Sequence, residues 1–147
     1  MRYVVLITFY LILTACGGSV LPREAALRAW VNEMESAAEE QNRAAILDKI
    51  SERYVDARGN SRQDIGEQLR LYFFRQRNLS FVTRIESLKF SDKSAADMRV
   101  TLAVAGTNAG LAGFNANGYR INLELEKVDA RWLLIGAQWG RLSGRIF

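Results

Sequence analysis

The chain has 147 residues, 49% of them hydrophobic and 24% charged, and a mean hydropathy of -0.08. That is one domain's worth of polypeptide able to bury a core, and it excludes disordered, collagen-like and mucin-like chains. There is no histidine, one cysteine and one proline, which removes Ser-His-Asp and Cys-His nucleophile systems, imidazole bases, internal disulfides and multi-thiolate zinc sites. No metal and no cofactor is expected. The net charge is +4, and arginine outnumbers lysine sixteen to four, a bias that favours bidentate pairing with carboxylate or phosphate. Arginine and glutamate alternate along much of the chain instead of forming a basic stripe, so nucleic acid is not an expected partner.

Met1-Arg2 supplies one positive charge, and Tyr3 to Leu13 is an unbroken apolar run. A helix needs about 20 residues to span a bilayer, so this run is too short for an anchor and has the form of a signal-peptide core. It ends in Leu13-Thr14-Ala15-Cys16 followed by Gly17-Gly18-Ser19, where the chain resembles a bacterial lipoprotein precursor with its lipobox. Small residues before the scissile bond suit a membrane-embedded peptidase, and the sole thiol falls at the first mature position, where it can be alkylated to a diacylglyceryl thioether. The resemblance implies a signal peptide over 1–15, a short tether over 16–21, and membrane lipid as a partner through acylated, palmitate-bearing Cys16. In the enterobacterial sorting pattern an Asp after the lipidated Cys retains the protein in the inner membrane. Gly17 lacks that signal, so the resemblance implies the outer membrane, facing the periplasm.

Residues 22–147 are read as a single domain that opens with a helix. Pro22 suits a first helical turn and Glu24 complements the helix dipole. Leu27, Trp30, Val31, Met34, Ala37 and Ala38 recur at helical spacing over about twenty residues. Asn42 can cap a shorter helix carrying Ile46, Leu47 and Ile50, closed by the turn Asp56-Ala57-Arg58-Gly59-Asn60. Ser61 with Asp64 has the form of a capping box, opening a third helix whose stripe is Ile65, Leu69, Tyr72 and Phe73. From Leu79 the period changes to that of strands, with turn signals at Ser91-Asp92-Lys93, Gly106 to Gly118 and Asp129-Ala130. Four strands fit. Met98, Val100, Leu102 and Val104 alternate with polar or small residues, as do Tyr119, Ile121, Leu123 and Leu125, which makes one sheet face apolar. The last strand, about Arg131 to Arg141, reads as apolar on both sides, with Trp132 and Leu134 opposed to Leu133, Ile135 and Trp139. Such a strand is central or covered from outside its own domain.

Helices followed by an antiparallel meander form an α+β layer arrangement. In this element order the chain resembles the nuclear transport factor 2-like superfamily, shared with ketosteroid isomerase and the small polyketide cyclases. The residues that carry the resemblance are the long first helix through Trp30, the Tyr54-Val55-Asp56 segment before the capped helix at Ser61, and the hairpin Asp129-Ala130-Arg131-Trp132-Leu133-Leu134-Ile135. It implies a cone-shaped domain whose curved sheet wraps a pocket closed by helices, with dimers through the outer sheet face. The long Gly106 to Gly118 connection and the absence of histidine depart from the pattern.

Without histidine, proton transfer falls to carboxylates, tyrosines or lysines with shifted pKa values, and Tyr54 with Asp56, and Tyr72, are the nearest candidates. Asp56 is more simply a turn former and Tyr54 a core-edge residue, so no catalytic residue is assigned. Where the helical stripes and the apolar sheet face converge, Trp30, Met34, Tyr72, Val100, Leu102, Ile121 and Leu123 are expected to line a pocket for a lipid-like or aromatic ligand. The 106–118 segment lacks the Lys-Ser/Thr of a phosphate loop and reads as a strand connection or a lid, with Leu111 and Phe114 as contact residues. The basic tail Arg141 and Arg145 reads as a solvated face that can approach anionic lipid. Two functions remain open: a non-catalytic module that binds an apolar ligand or an envelope protein, and a small isomerase- or cyclase-type enzyme for a lipophilic substrate. A homodimer is expected through the outer sheet face, with Trp132 or Leu133 at its surface.

Overall fold

The computed structural model describes residues 20–108 and 114–142. The segment expected to be a signal peptide, Cys16, Leu111 and Arg145 lie outside the described residues. Three helices precede four strands: α1 Val20–Glu39, α2 Arg43–Asp48, α3 Arg62–Arg75, then β1 Gln76–Phe90, β2 Ala95–Asn108, β3 Phe114–Val128 and β4 Arg131–Arg141. No described helix is long and apolar enough to cross a membrane.

The local signals act as their chemistry dictates. The Asn42 side chain accepts from the Ala45 N–H at 3.1 Å, satisfying one free donor at the start of α2. Ser61 and Asp64 cap α3 reciprocally: Ser61 N–H donates to Asp64 Oδ2 at 2.8 Å, and Asp64 N–H donates to Ser61 Oγ at 3.3 Å. Asp129 and Ala130 both take positive φ, 47° and 65°, the geometry of the two-residue turn that matches strand twist in a tight hairpin.

The sheet is an antiparallel meander in the order β1-β2-β3-β4. Its register pairs Met98 with Leu123, Val100 with Ile121, Leu102 with Tyr119 and Ala96 with Leu125, so one face gathers the apolar residues of β2 and β3. Against that face pack Leu27, Trp30, Val31 and Ala37 of α1, with Ile46 of α2 and Ile50 just beyond it. Ile65, Leu69 and Phe73 of α3 close the layer from the side.

Three expectations are corrected here. First, β4 is an edge strand and not a central one. A register shift between Glu124 and Leu125 makes Leu125 face Leu134 while Glu124 faces Gly136, so Ile135 is an extra residue in β4. The bulge reverses the alternation: Trp132 and Leu134 share the core face before it, and Ala137 and Trp139 share it after, opposite Leu123 and Ile121. A strand apolar at odd and even positions is thus one apolar face with a phase change. Second, Trp132 is no surface residue: it is 5% exposed and packs on Phe90 with ring centroids 6.2 Å apart. Third, the 106–118 connection is mostly strand. β2 runs to Asn108, β3 begins at Phe114, and Thr107 pairs with Phe114.

Both sheet edges are covered. The backbone after α2 lies along β4: Leu134 N–H donates to Lys49 O at 2.9 Å, Ser51 N–H to Leu134 O at 2.9 Å, Val55 N–H to Ile135 O at 3.2 Å and Ala57 N–H to Ala137 O at 3.0 Å. At the other edge, two carboxylates of α1 take the outward N–H groups of β1. Thr83 N–H donates to Glu35 Oε2 at 3.0 Å and Phe81 N–H donates to Glu39 Oε1 at 2.9 Å. These contacts satisfy donors that otherwise invite strand addition.

Candidate functional site

Between the middle of α1 and the inner sheet face is a cavity of about 170 Å³. Trp30, Met34 and Ala38 form its helical wall, Phe81 and Thr83 come from β1, Val100 and Leu102 from β2, and Ile121 and Leu123 from β3. Six of the seven residues assigned to a pocket from the sequence therefore meet around one space. They meet because α1 presents its i, i+4 stripe to alternate positions of paired strands, and side chains at those positions share a face.

Tyr72 does not join them. It is 40% exposed, at the margin of the α3 stripe formed by Ile65, Leu69 and Phe73, and it does not line the cavity. Its ring lies 6.2 Å from that of Phe73. Partial burial, with Tyr119 nearby, raises its hydroxyl pKa above the ordinary tyrosine value.

Glu35 is the one titratable side chain on the cavity wall among the described residues, and the sequence reading missed it. Its Oε2 is held by the Thr83 N–H, so the carboxylate serves the β1 edge. It flanks the apolar stripe, one turn after Val31, where a charged residue carries no periodicity signal; only the docking of α1 onto a sheet edge brings it to the cavity. The Trp30 indole is buried and its Nε1–H has no acceptor. Beyond Trp30, a second cleft of about 220 Å³ is lined by Glu33, Asp48, Lys49, Arg131 and Trp132. Its charges are internally matched: Lys49 pairs with Glu33, and Arg131 with Asp48 at 3.1 Å.

Tyr54 and Asp56 are both buried and neither lines the cavity. Asp56 closes the turn before α3, its Oδ1 accepting from the N–H groups of Arg58 at 2.8 Å and Asn60 at 2.9 Å, and its Oδ2 from Asn60 Nδ2 at 2.8 Å. Burial raises its pKa, but the hydrogen bonds from Asn60 and Arg58 and the charge of Arg58 outweigh burial and hold the carboxyl below the ordinary aspartate value. Burial, then the charge of Asp56, raises the Tyr54 hydroxyl well above the ordinary tyrosine value. A carboxylate held by two backbone N–H groups and one side-chain amide, beside a buried phenol, is a turn and its core contact. Among the described residues no acid–base pair converges on the cavity. Among the described residues no group of three or more carboxylates and thiols is placed to hold a metal ion.

Phe114 is placed in β3 by its pairing with Thr107. On the outer sheet face, Arg99 Nε donates to Asn122 Oδ1 at 2.9 Å, and Arg120 lies 3.4 Å from Glu86, which also accepts from Thr101 Oγ1. That face is a polar network across strands.

No protein-family model and no curated protein matches the sequence. Solved structures do. The chain is similar to a scytalone dehydratase-like protein from Novosphingobium aromaticivorans, with a TM-score of 0.78 at 12% identity over 86% of this chain and 89% of that one. It is similar to a ketosteroid isomerase-like protein from Erwinia carotovora atroseptica, with a TM-score of 0.67 at 12% identity over 82% and 96%. A domain of unknown function with a cystatin-like fold from Nostoc punctiforme aligns with a TM-score of 0.68 at 17% identity over 86% and 81%. Identities this low carry the fold and not the activity. With three N-terminal helices packed on a four-stranded antiparallel sheet, the chain has the nuclear transport factor 2-like fold.

Proposed function

We propose that the protein is a membrane-tethered periplasmic lipoprotein, anchored through Cys16, whose domain is a non-catalytic module that holds a small apolar ligand between α1 and the sheet. The observation that carries the binding reading is the chemistry of the cavity wall among the described residues: aliphatic and aromatic side chains with Thr83, and a single carboxylate tied to a backbone N–H. An apolar cavity of ~150 Å³ stays dry and takes up benzene, and this one, at about 170 Å³, is of similar size. A charged ligand would lose its hydration with no partner to replace it, so one or two aromatic rings, or a segment of a lipid-like chain, fit best. The tether rests on the Leu13-Thr14-Ala15-Cys16 lipobox.

The alternative, an isomerase- or cyclase-type enzyme, has Glu35 in its favour as a lone base at an apolar wall. Among the described residues, the wall's other polar groups are the Thr83 hydroxyl and the Trp30 indole N–H, with no second titratable group beside Glu35 to complete an acid–base pair. Thermal shift with benzene and naphthalene separates the readings. Both probes raise the melting temperature of the parent chain and of Glu35→Gln, whose amide oxygen still accepts from Thr83, and neither raises that of Leu102→Trp. Absence of any shift in the parent removes the apolar-ligand reading and leaves an envelope protein as the partner. A probe chemically altered by the parent but not by Glu35→Gln establishes the enzyme instead.

A further inference from the structure

α3 buries Ile65, Leu69 and Phe73, yet its second half carries apolar groups on the opposite side as well. Phe74 is 82% exposed and Leu71 51% exposed. They are i, i+3 neighbours, with Arg70 one turn before Phe74 and Arg75 one turn after Leu71, so the four side chains form one surface. Arg77 continues it into the start of β1, and all three arginines are exposed. None of the three makes an ion pair among the described residues. No acidic residue occurs between Gln68 and Ile85. Glu67, one turn upstream, is exposed and likewise unpaired with them.

We propose that this face, Arg70, Leu71, Phe74, Arg75 and Arg77, is a docking surface for an anionic lipid bilayer. Unpaired guanidinium groups around protruding aromatic and aliphatic side chains match the two layers of such a surface, phosphate headgroups outside and acyl chains beneath. A convex helix face with Phe74 at its crest offers a protein partner no pocket, whereas a fluid bilayer adapts to it. Its place in the fold is consistent: Gln41 Nε2 donates to Gln76 O at 3.1 Å, so the face lies at the C-terminal end of α1. Glu35, Ala38 and Phe81, which line the cavity, belong to the same end. The first turns of α1 are at the other end, where Arg23 donates to Asp92 O at 3.0 Å, about 30 Å away along a 20-residue helix. The docking face is therefore separate from the point where a lipid tether would enter, and it does not depend on what the cavity holds.

Because Cys16 is the sole cysteine, the full chain carrying Cys16→Ser and Phe74→Cys accepts one environment-sensitive nitrobenzoxadiazole label at the crest of the face. The label should shift to the blue on vesicles of equal parts phosphatidylcholine and phosphatidylglycerol, stay solvent-like on phosphatidylcholine alone, and revert in high salt. Adding Arg70→Gln, Arg75→Gln and Arg77→Gln together should weaken the anionic-vesicle response at least about tenfold. Those residues are exposed, and an unchanged circular dichroism spectrum confirms that the fold survives. A label that stays solvent-like on anionic vesicles, or responds equally to both compositions, or ignores the triple substitution, overturns the proposal. A blue shift without vesicles that grows with protein concentration also overturns it and assigns the face to a second copy of the chain.

Discussion

Asp56 shows how one side chain organises a junction. It is 5% exposed and its two oxygens gather three N–H donors across the turn that ends at the α3 cap. Replacing it with Ala leaves two backbone donors without their acceptor and should cost about 2–3 kcal/mol in urea unfolding. Its carboxyl pKa is depressed in the folded state, so its contribution is fully present above the unfolded value of about 4 and is lost as pH falls through the folded value. Parent and Asp56→Ala should therefore differ most near neutrality and converge in acid; a gap that widens on acidification contradicts the assignment. The turn itself was legible, because Asp-x-x-Gly-Asn has only a few conformations, whereas Glu35 was not, because its role comes from a sheet edge more than forty residues away. Cys16 belongs to the same scale. Cys16→Ser should abolish acyl-chain incorporation and leave unprocessed precursor in metabolic labelling, and an acylated, cleaved product from that variant would refute the lipobox.

Among the elements, β4 was the hardest to read and the reason is physical. Alternation assigns faces only while the strand keeps its period of two, and the extra residue at Ile135 breaks it between Leu134 and Ala137. Leu133 therefore faces outward opposite Glu126 while Trp132 lies in the core, so the two adjacent residues should respond very differently to truncation. Trp132→Ala should cost about 3–5 kcal/mol by denaturant unfolding and Leu133→Ala about 1 kcal/mol or less. Comparable losses at both positions would place the bulge elsewhere. The starts of α2 and α3 were readable because Asn42 and Ser61 mark them chemically, whereas α2 ends at Asp48, short of the Ile50 expected on it, because the chain there turns to lie along β4. Tyr72 stands at helical spacing from Ile65 and Leu69, so periodicity groups it with the α3 stripe; how closely α3 docks on the rest of the domain, which periodicity does not set, leaves it 40% exposed.

For the whole molecule, the order of three helices and a four-stranded meander fixes the architecture: an apolar sheet face must be covered, and the long amphipathic α1 is the element able to cover it. Six cavity residues followed from the same reasoning, since their positions are set by paired-strand register and helical stripe alone. The docking face on α3 did not, because exposure of Phe74 and Leu71 is decided by which side of the helix meets the sheet. What lies between α1 and the sheet is an apolar space whose one carboxylate among the described residues is engaged by the backbone, and native mass spectrometry of the protein purified from a bacterial envelope tests that reading most directly. A co-purifying apolar molecule, unchanged in mass on incubation and absent from Leu102→Trp and Ile121→Trp, is the predicted result. An envelope-derived protein with no bound species, or with the same species retained when both wall positions are filled, would contradict it.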